Sequence, residues 1–469
     1  MREITTDYLV VGAGASGMSF VDSLVANSDV EVVLVDRRHR PGGHWLDAYP
    51  FVRLHQPSAN YGVNSTTLGH DRIDDTGLNA GFYERATAAE ICDYFNRVLE
   101  TNLLPSGKVR FFGMTDYRGS DGDAHRVVSL LTGEETNVKV RRRLIDATYV
   151  ESEIPSRHTP SFAVDADVRL IPPNDLVDLD ESASGFTVFG AGKTAMDTCN
   201  WLLDSGVDPD KIEWFRPRDP WLFNRAVMQP LDLVGAYMQM QACFVKAASE
   251  AESGAEFAHR LEADDVFVRI DQRVEPTMFR GATISTRELD ALKTIERAVP
   301  GRRVLHLRSD RIVTDRGDVA AEPGRVYVNC TAAGVRPTLP RPVFEGDRMT
   351  LQYVTIGIVP WSAATVATVE ARSDDDAEKN RFCPVVSFTG NVADVLRLAY
   401  AGMSGIGARM SDPDLNAWGD RSRLNPAAAA AAHLDDPRVP EAFTSIATNF
   451  APAMANLERV VGRVPANVE

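Results

Sequence analysis

The feature that most constrains this chain is a short strand followed at once by a glycine-rich turn. Residues 9–11 are an apolar, mostly β-branched run of the kind that parallel sheets bury, and residues 18–25 repeat with a helical period. Between them stand Gly12, Gly14 and Gly17 in G-x-G-x-x-G spacing. The first glycine permits the tight turn, the second lets the backbone approach a pyrophosphate, and the third lets helix and strand pack closely. The start of that helix then presents free N–H groups and a positive dipole end to an anion.

A second strand, predicted over residues 30–35, ends at Asp36, whose carboxylate can bond both hydroxyls of an adenosine ribose. The acid stands about 20 residues beyond the last glycine, so strand, turn, helix and acid together make the dinucleotide-binding fingerprint. The alternative is the same unit without a ligand. Residues 1–25 lack a basic start and a long apolar core and are used in this unit, so we expect no signal peptide.

Composition limits the class of protein further. The 469 residues are too many for one simple core and suggest two or three domains, and no apolar run is long enough to cross a bilayer. The net charge of −16 argues against general binding to nucleic acid or to anionic membranes, because both need a basic surface. Five scattered cysteines without a C-x-x-C pair fit a reducing cytoplasm and argue against a disulfide reductase. No Cys/His cluster suggests a metal site.

A second glycine pair lies one short loop after Asp36. Gly42 and Gly43 permit a close approach of the backbone, and the basic residues that flank them suit a diphosphate. A surface turn is the alternative for these residues taken alone. Next to the dinucleotide fingerprint, they are better explained as the second wall of a cofactor cleft.

The order of these motifs resembles the start of the flavin-containing monooxygenases and the Baeyer–Villiger monooxygenases. The resemblance rests on G-x-G-x-x-G, a strand that ends in an acid, and G-G-x-W, and it implies that this part of the chain binds FAD. The residues it assigns to the cofactor are Gly12, Gly14, Gly17, Asp36, Arg37, Gly43, His44 and Trp45. In that group the next stretch, residues 49–61 here, lies along the flavin. The candidate catalytic residues on it are His55, Gln56 and Asn60, with a polar loop of satisfied side chains as the alternative for each.

The following segment predicts a helix and a meander. Thr87 and Glu90 form a capping-box pair at the start of an amphipathic helix over residues 87–104. Three β-type runs then predict an antiparallel meander over the sheet: residues 109–114, 126–131 and 137–140. A strand over residues 144–148 is expected to return to the first sheet.

A linker over residues 151–160 carries part of a family motif. The resemblance predicts F-x-G-x-x-x-H there, followed by an aromatic residue. His158 and Phe162 fit the second half of this pattern, but Ser152 and Ile154 stand where Phe and Gly are expected. The subgroup within the family therefore stays open.

Residues 185–195 predict a second dinucleotide site, again as strand, glycine turn and helix. Its spacing is G-x-G-x-x-A, an accepted variant of the fingerprint. The residues assigned to it are Gly190, Gly192, Lys193, Thr194 and Ala195. A P-loop is excluded, since Thr187 stands where its first glycine is required.

The strand after this second helix ends in Arg216-Pro-Arg218 rather than in an acid. Arginine in place of the carboxylate suits a 2′-phosphate, so NADPH is favoured over NADH. A solvated loop is the alternative for Arg216 and Arg218.

The remaining boundaries come from the helical pattern and from the resemblance. Residues 231–299 are largely helical in pattern and form an insertion that either caps a substrate pocket or is plain core. The resemblance implies that residues 325–337 re-enter the FAD domain and that residues 385–391 form its last strand, with Asn391 beside the ribityl chain. The predicted domains are 1–165 with 325–410 for FAD, 166–324 for NADPH, and a helical tail over 411–469.

The sequence therefore predicts an α/β fold in which an FAD-binding Rossmann-like domain contains an inserted Rossmann-like NADPH-binding domain with a helical insertion. The resemblance implies an NADPH-using flavoprotein monooxygenase that oxygenates a small organic substrate with O₂ through a flavin C4a-(hydro)peroxide. Two alternatives stay open: an NADPH-dependent oxidase or reductase without oxygen insertion, and a non-catalytic dinucleotide sensor. The substrate and the oligomeric state are open as well, with a dimer among the alternatives.

Overall fold

The computed structural model describes residues 2–462. Its first segment builds most of one sheet, from the elements β1 (Arg2–Val11), α1 (Ala15–Asn27), β2 (Val32–Val35), α2 (Ala88–Val98), β3 (Val109–Phe112), β4 (Thr115–Asp121), β5 (Ala124–Ser129) and β6 (Glu135–Asp146). The capping box of Thr87 and Glu90 is present at the start of α2, and a π turn at Leu99–Leu103 extends the helix. The predicted helix is confirmed.

β1 lies between β2 and β6 and is parallel to both, and β3 extends this parallel sheet beyond β2. The run at 109–114 was expected in the meander, and this prediction is wrong, because β3 pairs in parallel with β2. β4 and β5 pair antiparallel, and β5 pairs in the same way with the first residues of β6. β6 lies parallel to β1 along almost its whole length, so the predicted return to the first sheet is confirmed. A short apolar run has the same pattern in either kind of pairing, so periodicity could not separate the two.

The second segment builds a separate parallel sheet. Its elements are β7 (Ala163–Val164), β8 (Leu170–Ile171), β9 (Gly185–Phe189), α3 (Lys193–Asp204), β10 (Ile212–Arg216), β11 (Pro220–Asn224), α4 (Val234–Glu250), α5 (Gly254–Ala263), β12 (Phe267–Val268), β13 (Met278–Ile284), α6 (Thr286–Lys293), β14 (Ala298–Pro300), β15 (Val304–Leu307), β16 (Arg311–Thr314), β17 (Val319–Ala320) and β18 (Arg325–Asn329). The strand order in this sheet is β14-β10-β9-β18-β8. β7 pairs instead with β15 in a small sheet beside it.

The chain leaves the second sheet later than predicted. β18 was expected to re-enter the FAD domain at residue 325, but it lies beside β9 in the second sheet, with Val328 opposite Val188. The return comes with the next two strands, β19 (Phe344–Glu345) and β20 (Arg348–Thr350). Because β20 pairs in parallel with β6, it joins the first sheet. An apolar strand suits either sheet, so only the pairing decides this boundary.

The last segment is mostly helical. It contains α7 (Val359–Glu370), α8 (Asp376–Phe382), β21 (Gly390–Asn391), α9 (Val395–Met410), α10 (Pro413–Arg421) and α11 (Arg438–Val461). Residues 385–391 do not form the expected last strand of the first sheet. Val386 and Ser387 bond to the loop carbonyls of Tyr353 and Thr338, and β21 pairs with β13 in a mixed sheet of order β12-β11-β13-β21.

The insertion at 231–299 is only partly helical. It contains α4, α5 and α6, but β12, β13 and the start of β14 interrupt the helical pattern. Its apolar residues are buried in a core that α4 and α5 share with α9 and α11: Met238, Met240, Phe244, Phe257 and Leu261. The plain-core alternative is therefore correct for these side chains. Within residues 2–462, no helix combines the length and the apolar character that a membrane span requires.

Candidate functional site: two glycine turns and the loop between them

The first glycine turn lies at the carboxyl end of β1. Gly14 caps α1 without any side chain on the first N–H groups of the helix, which leaves this helix end open to an anion. A Cβ at Gly17 would lie 1.9 Å from the carbonyl oxygen of Gly12, so only glycine lets α1 pack this closely on β1. The predicted strand, turn and helix are confirmed.

Asp36 stands where β2 ends and is tied to this turn. Its Oδ2 accepts the N–H of Ala13 at 2.6 Å, and its Oδ1 accepts the N–H of Arg38 at 2.7 Å. Burial raises the pKa of Asp36, although both backbone N–H groups favour the charged form. A carboxylate has lone pairs left after two such bonds, so it can still accept from a ribose hydroxyl.

The second glycine pair meets the first turn directly. Gly43 has a positive φ of +59°, and a Cβ there would lie 2.8 Å from the Cα of Gly14. A 3-10 turn over Gly43–Asp47 follows, in which Trp45 donates from Nε1 to the hydroxyl of Tyr61 at 2.7 Å. Burial, with the charge of Arg38, lowers the pKa of His44 to about 4, so its ring is neutral at pH 7. The second glycine pair therefore packs against the first turn.

A cavity of about 420 Å³ lies beside the end of β2. Its lining consists of Arg37, Arg38, Leu130, Glu151, Ser152, Glu153, Ile154, Arg157 and Arg336. Arg37 is exposed, whereas Arg38 is fixed by Asp47 at 2.9 Å. Four arginines and two carboxylates therefore dominate this lining, which begins directly after Asp36, and only Leu130 and Ile154 are apolar.

The loop over residues 49–61 carries the three candidate catalytic residues, but their polar groups point to different neighbours. The carbonyl oxygen of His55 accepts from Thr283 Oγ1 at 2.6 Å and from Arg225 Nε at 3.3 Å, both in the second segment. Gln56 donates to the carbonyl of Asn60 at 3.3 Å. Asn60 is buried and donates to the carbonyl of Arg423, near the end of the chain, at 3.3 Å.

His55 is held in the neutral form. Burial, followed by the charge of Lys193, lowers its pKa to about 3. A neutral imidazole offers one donor and one acceptor, and it carries no proton to give as an acid at pH 7.

The second glycine turn lies at the carboxyl end of β9. A Cβ at Gly190 would lie 2.4 Å from the carbonyl oxygen of Cys330, and its φ is +134°. Gly192 caps α3, and a Cβ at this position would meet nothing within 4 Å, so there is open space in front of the helix. Ala195 is fully buried, as the third position of the fingerprint requires.

Lys193 and Thr194 follow this turn. Lys193 is 8% exposed, and its ammonium group contacts Asp197, one helical turn further on. Tyr49, from the loop of the first segment, donates to the same carboxylate at 2.8 Å. The second glycine turn and the 49–61 loop are thus in direct contact.

Arg216 and Arg218 differ in environment. Arg216 is 3% exposed, pairs with Asp219 at 3.3 Å and Asp271 at 3.8 Å, and stacks on Trp214. Arg218 is exposed. The sequence did not single out Arg302, which follows the neighbouring strand β14 and is half-buried at the same edge of the sheet.

Asn391 lies on β21, opposite Met278, and its exposed side chain accepts from the N–H of Ala393 at 3.1 Å. Arg280, on the same sheet, was missed by sequence reasoning. It donates to the carbonyl of Ala333, and its Nε is buried without a hydrogen-bond partner close to Gly390. Arg280 therefore lies between residues 325–337 and residues 385–391, the two segments that the resemblance assigned to the FAD domain.

The linker over residues 151–160 contacts the segment that follows β18. His158 lies 3.3 Å from Glu153 through Nδ1 and 3.1 Å from the Thr331 hydroxyl through Nε2. Glu153 in turn accepts the N–H of Ala333 at 2.8 Å. Within residues 2–462, His, Cys, Asp and Glu side chains form no group of three or more that could hold a metal ion.

Comparison with known proteins gives relatives in sequence and in structure. Residues 10–94 match the profile of the NAD(P)-binding Rossmann-like domain. The chain is 42% identical to the uncharacterized protein Rv2000 of Mycobacterium tuberculosis (strain ATCC 25618 / H37Rv) over 425 residues, which cover 90% of this chain and 78% of that protein. The uncharacterized protein Mb2023 of Mycobacterium bovis matches to the same extent.

Two solved structures share the fold. A cyclohexanone-bound cyclohexanone monooxygenase superposes with a TM-score of 0.51 at 12% identity, over 79% of this chain and 86% of that one. An oxidized steroid monooxygenase bound to NADP gives a TM-score of 0.50 at 13% identity, over 78% and 84%. The predicted α/β fold with two Rossmann-like units is confirmed, and it is the fold of these monooxygenases.

Proposed function

This chain belongs to the same protein family as the mycobacterial proteins Rv2000 and Mb2023, and from its fold and its two glycine turns we propose that it is an NADPH-dependent flavoprotein monooxygenase. FAD binds at the first glycine turn, and NADPH binds at the second. The reaction inserts one atom of O₂ into a small organic substrate and reduces the other to water with the two electrons of NADPH, through a flavin C4a-(hydro)peroxide. We assign the protein to the cytoplasm, because its cysteines are free and thiols stay reduced in that compartment.

One observation carries this proposal. The loop expected to lie along the flavin is bonded to the second domain at two points: Tyr49 donates to Asp197, and His55 accepts from Thr283. Asp197 lies one turn into α3, and the charge of Lys193, the first residue of that helix, acts on the His55 ring. A hydride donor bound at the start of α3 would approach the flavin loop, as transfer from NADPH to FAD requires.

The chain's own residues bind, orient and keep water out. The uncapped starts of α1 and α3 bind the two diphosphates, and Asp36 accepts from the ribose of FAD. The flavin, when bound, supplies hydride acceptance and oxygen activation, for which no protein nucleophile is needed. Neutral His55 and the amide of Gln56 supply hydrogen bonds without adding charge to the site.

Preference for NADPH is assigned to Arg218, with Arg302 as a second cation at the same edge. Arg216 is already paired with Asp219 and Asp271. Its role is therefore to stabilise this turn, and the 2′-phosphate binds to Arg218. This changes the emphasis of the sequence-based prediction, which weighted the two arginines equally.

The alternative is an oxidase or reductase that uses the same cofactors without oxygen insertion. It shares every cofactor contact and differs only in what the reduced flavin does next.

The test is to identify the flavin released from purified protein and to follow NADPH consumption in air with a cyclic ketone, a sulfide and an amine as probe substrates. The proposal expects FAD, and product formed in proportion to the NADPH used. NADPH consumption matched by hydrogen peroxide with every substrate would favour the alternative, and a protein without flavin would contradict both.

A further inference from the structure

A buried cluster of charges lies where the second glycine turn meets the 49–61 loop. Its members come from both domains: Arg85, Lys193, Asp197, Arg225 and Glu288. Three cations face two carboxylates here, so the cluster carries one excess positive charge. Charges removed from water are costly unless partners surround them, so this arrangement depends on each of its members.

Glu288 is the centre of this cluster. It is 4% exposed and belongs to the capping box of α6, in which its Oε2 accepts the N–H of Ser285 at 2.8 Å. The same carboxylate meets three cations, namely Arg225 at 2.7 Å, Arg85 at 3.4 Å and Lys193 at 3.9 Å. A capping box needs only the backbone bond, so the three ion pairs are additional to the helix start.

Each of these cations also holds a part of the proposed reaction site. Arg225, which is fully buried, donates from Nε to the carbonyl of His55, and Arg85 donates to the carbonyl of Leu54 at 3.2 Å. Lys193 is the first residue of α3, at the open start of the helix. One carboxylate therefore joins the backbone of the flavin-side loop to the turn assigned to NADPH.

The charge state of Glu288 agrees with this geometry. Burial alone would raise its pKa, yet Lys193, Arg225 and Arg85 hold that pKa well below its ordinary value. The carboxylate is therefore ionised at neutral pH. A second anion at the start of α3 would draw on the same cation, Lys193, and so alter how firmly Glu288 holds Arg225 and Arg85.

We infer that Glu288 is a positioning residue that couples occupation of the second glycine turn to the position of residues 52–56. The inference rests on the proposed function, because it takes the dinucleotide diphosphate as the anion at that turn. Binding of NADPH then tightens the loop through Lys193, Glu288 and the two arginines, and brings the flavin side into place for hydride transfer.

A merely structural carboxylate is the competing explanation, and the chain offers a matched control for it. Glu370 is 8% exposed and lies in another buried network, with Lys379 at 2.7 Å, Arg143 at 3.2 Å and the Tyr8 hydroxyl at 2.9 Å. This network flanks the first sheet and includes neither glycine turn. Glu370→Gln therefore removes a buried charge of the same kind without touching the coupling.

The first experiment measures hydrogen–deuterium exchange of the FAD-loaded protein with and without NADP⁺. We expect NADP⁺ to slow exchange within residues 52–56 in the wild type and in Glu370→Gln. In Glu288→Gln, which keeps the capping acceptor but loses the charge, we expect NADP⁺ to bind while this protection is lost. Protection that is absent in the wild type, or unchanged in Glu288→Gln, would overturn the inference while leaving the cofactor assignment intact.

A second variant guards against misfolding of Glu288→Gln. Arg85→Lys keeps the charge balance, but a single ammonium group cannot hold both Leu54 and Glu288 as the planar guanidinium does. We expect it to weaken the same protection.

Anaerobic reduction by NADPH gives the kinetic readout. Because small displacements of reacting groups are costly, we expect the limiting rate to fall about tenfold or more in Glu288→Gln, with the NADPH concentration at half-saturation changed far less. Dithionite should reduce the flavin of the wild type and of Glu288→Gln, Glu370→Gln and Arg85→Lys at the same rate. A larger effect on half-saturation than on the limiting rate would contradict a positioning role, and a wild type that binds no NADP⁺ would overturn the proposed function itself.

Discussion

At the residue scale, the most informative difference is between Arg216 and Arg218. Arg216 is the last residue of β10 and Arg218 comes two residues later, and the sequence could not tell them apart. The structure buries Arg216 between Asp219 and Asp271 and leaves Arg218 exposed, because the two acids lie on segments that the turn brings together. Residue type alone predicted a basic edge, and the partners of each arginine depend on tertiary contacts.

We predict that Arg218→Ala weakens NADPH binding about 10- to 100-fold and leaves NADH binding within about twofold, since a charge-assisted bond to phosphate contributes roughly 1.5–3 kcal/mol. Titration of the FAD-loaded protein with each nucleotide measures this. The matched control is Arg273→Ala, which removes an arginine whose side chain is 88% exposed and paired with Asp271. Equal loss of NADPH and NADH binding would contradict the phosphate assignment.

His55 leads to a prediction about pH. Its pKa of about 3 in the folded protein lies below the ordinary value, so between about pH 6.5 and pH 3 the unfolded chain binds a proton that the native protein excludes. Stability is therefore full above pH 6.5 and falls as the pH is lowered. His55→Gln should flatten this fall by up to about 1.4 kcal/mol per pH unit.

Urea unfolding of the wild type and of His55→Gln at pH 7, 6 and 5 measures this difference. Parallel curves for the two proteins would show that His55 titrates as an ordinary histidine. The prediction also implies that the reaction shows no ionisation of His55 near neutral pH.

At the element scale, the two strand–turn–helix units could be predicted because their glycines answer local demands. Gly17 and Gly190 have no room for a side chain, so glycine is required at these positions and can be recognised in the sequence by its spacing. The meander and the return to the first sheet were predicted less well. β3, β18 and residues 385–391 are short apolar runs, and their neighbours are set by pairing across the chain rather than by period.

The start of α3 gives the prediction at this scale. Gly192 has an extended backbone conformation and open space around its Cβ position, so Gly192→Asp should fold and keep FAD. The new carboxylate would fill the diphosphate site and repel the diphosphate of NADPH. We expect NADPH binding and NADPH-driven flavin reduction to fall at least 100-fold.

Gly192→Ala is the matched control, since it adds the Cβ without the charge and should stay within about tenfold of the wild type. Flavin content from the absorbance ratio and rapid-mixing kinetics provide both readouts. Loss of FAD in Gly192→Asp would show that the two dinucleotide sites are not separate.

At the scale of the whole molecule, the fold class and the order of the two cofactor units followed from the sequence, but the contact between them did not. Glu288 sits in a capping box that a sequence can predict, yet its three cations come from positions 85, 193 and 225. The spacing of these residues in the sequence does not predict that they are in contact. The place of the glycine turns and of Asp36 in the fold could therefore be predicted, and the charges that join the two units could not.

The central claim is that reducing equivalents pass from NADPH to a flavin that then activates oxygen. The most direct measurement is to mix the FAD-loaded protein with NADPH without oxygen, then with O₂, while recording flavin absorbance against time. We predict that NADPH bleaches the flavin and that a transient species precedes the return of the oxidised spectrum. Direct return with release of hydrogen peroxide would contradict the monooxygenase assignment, and a flavin that NADPH cannot bleach would contradict the hydride path as a whole.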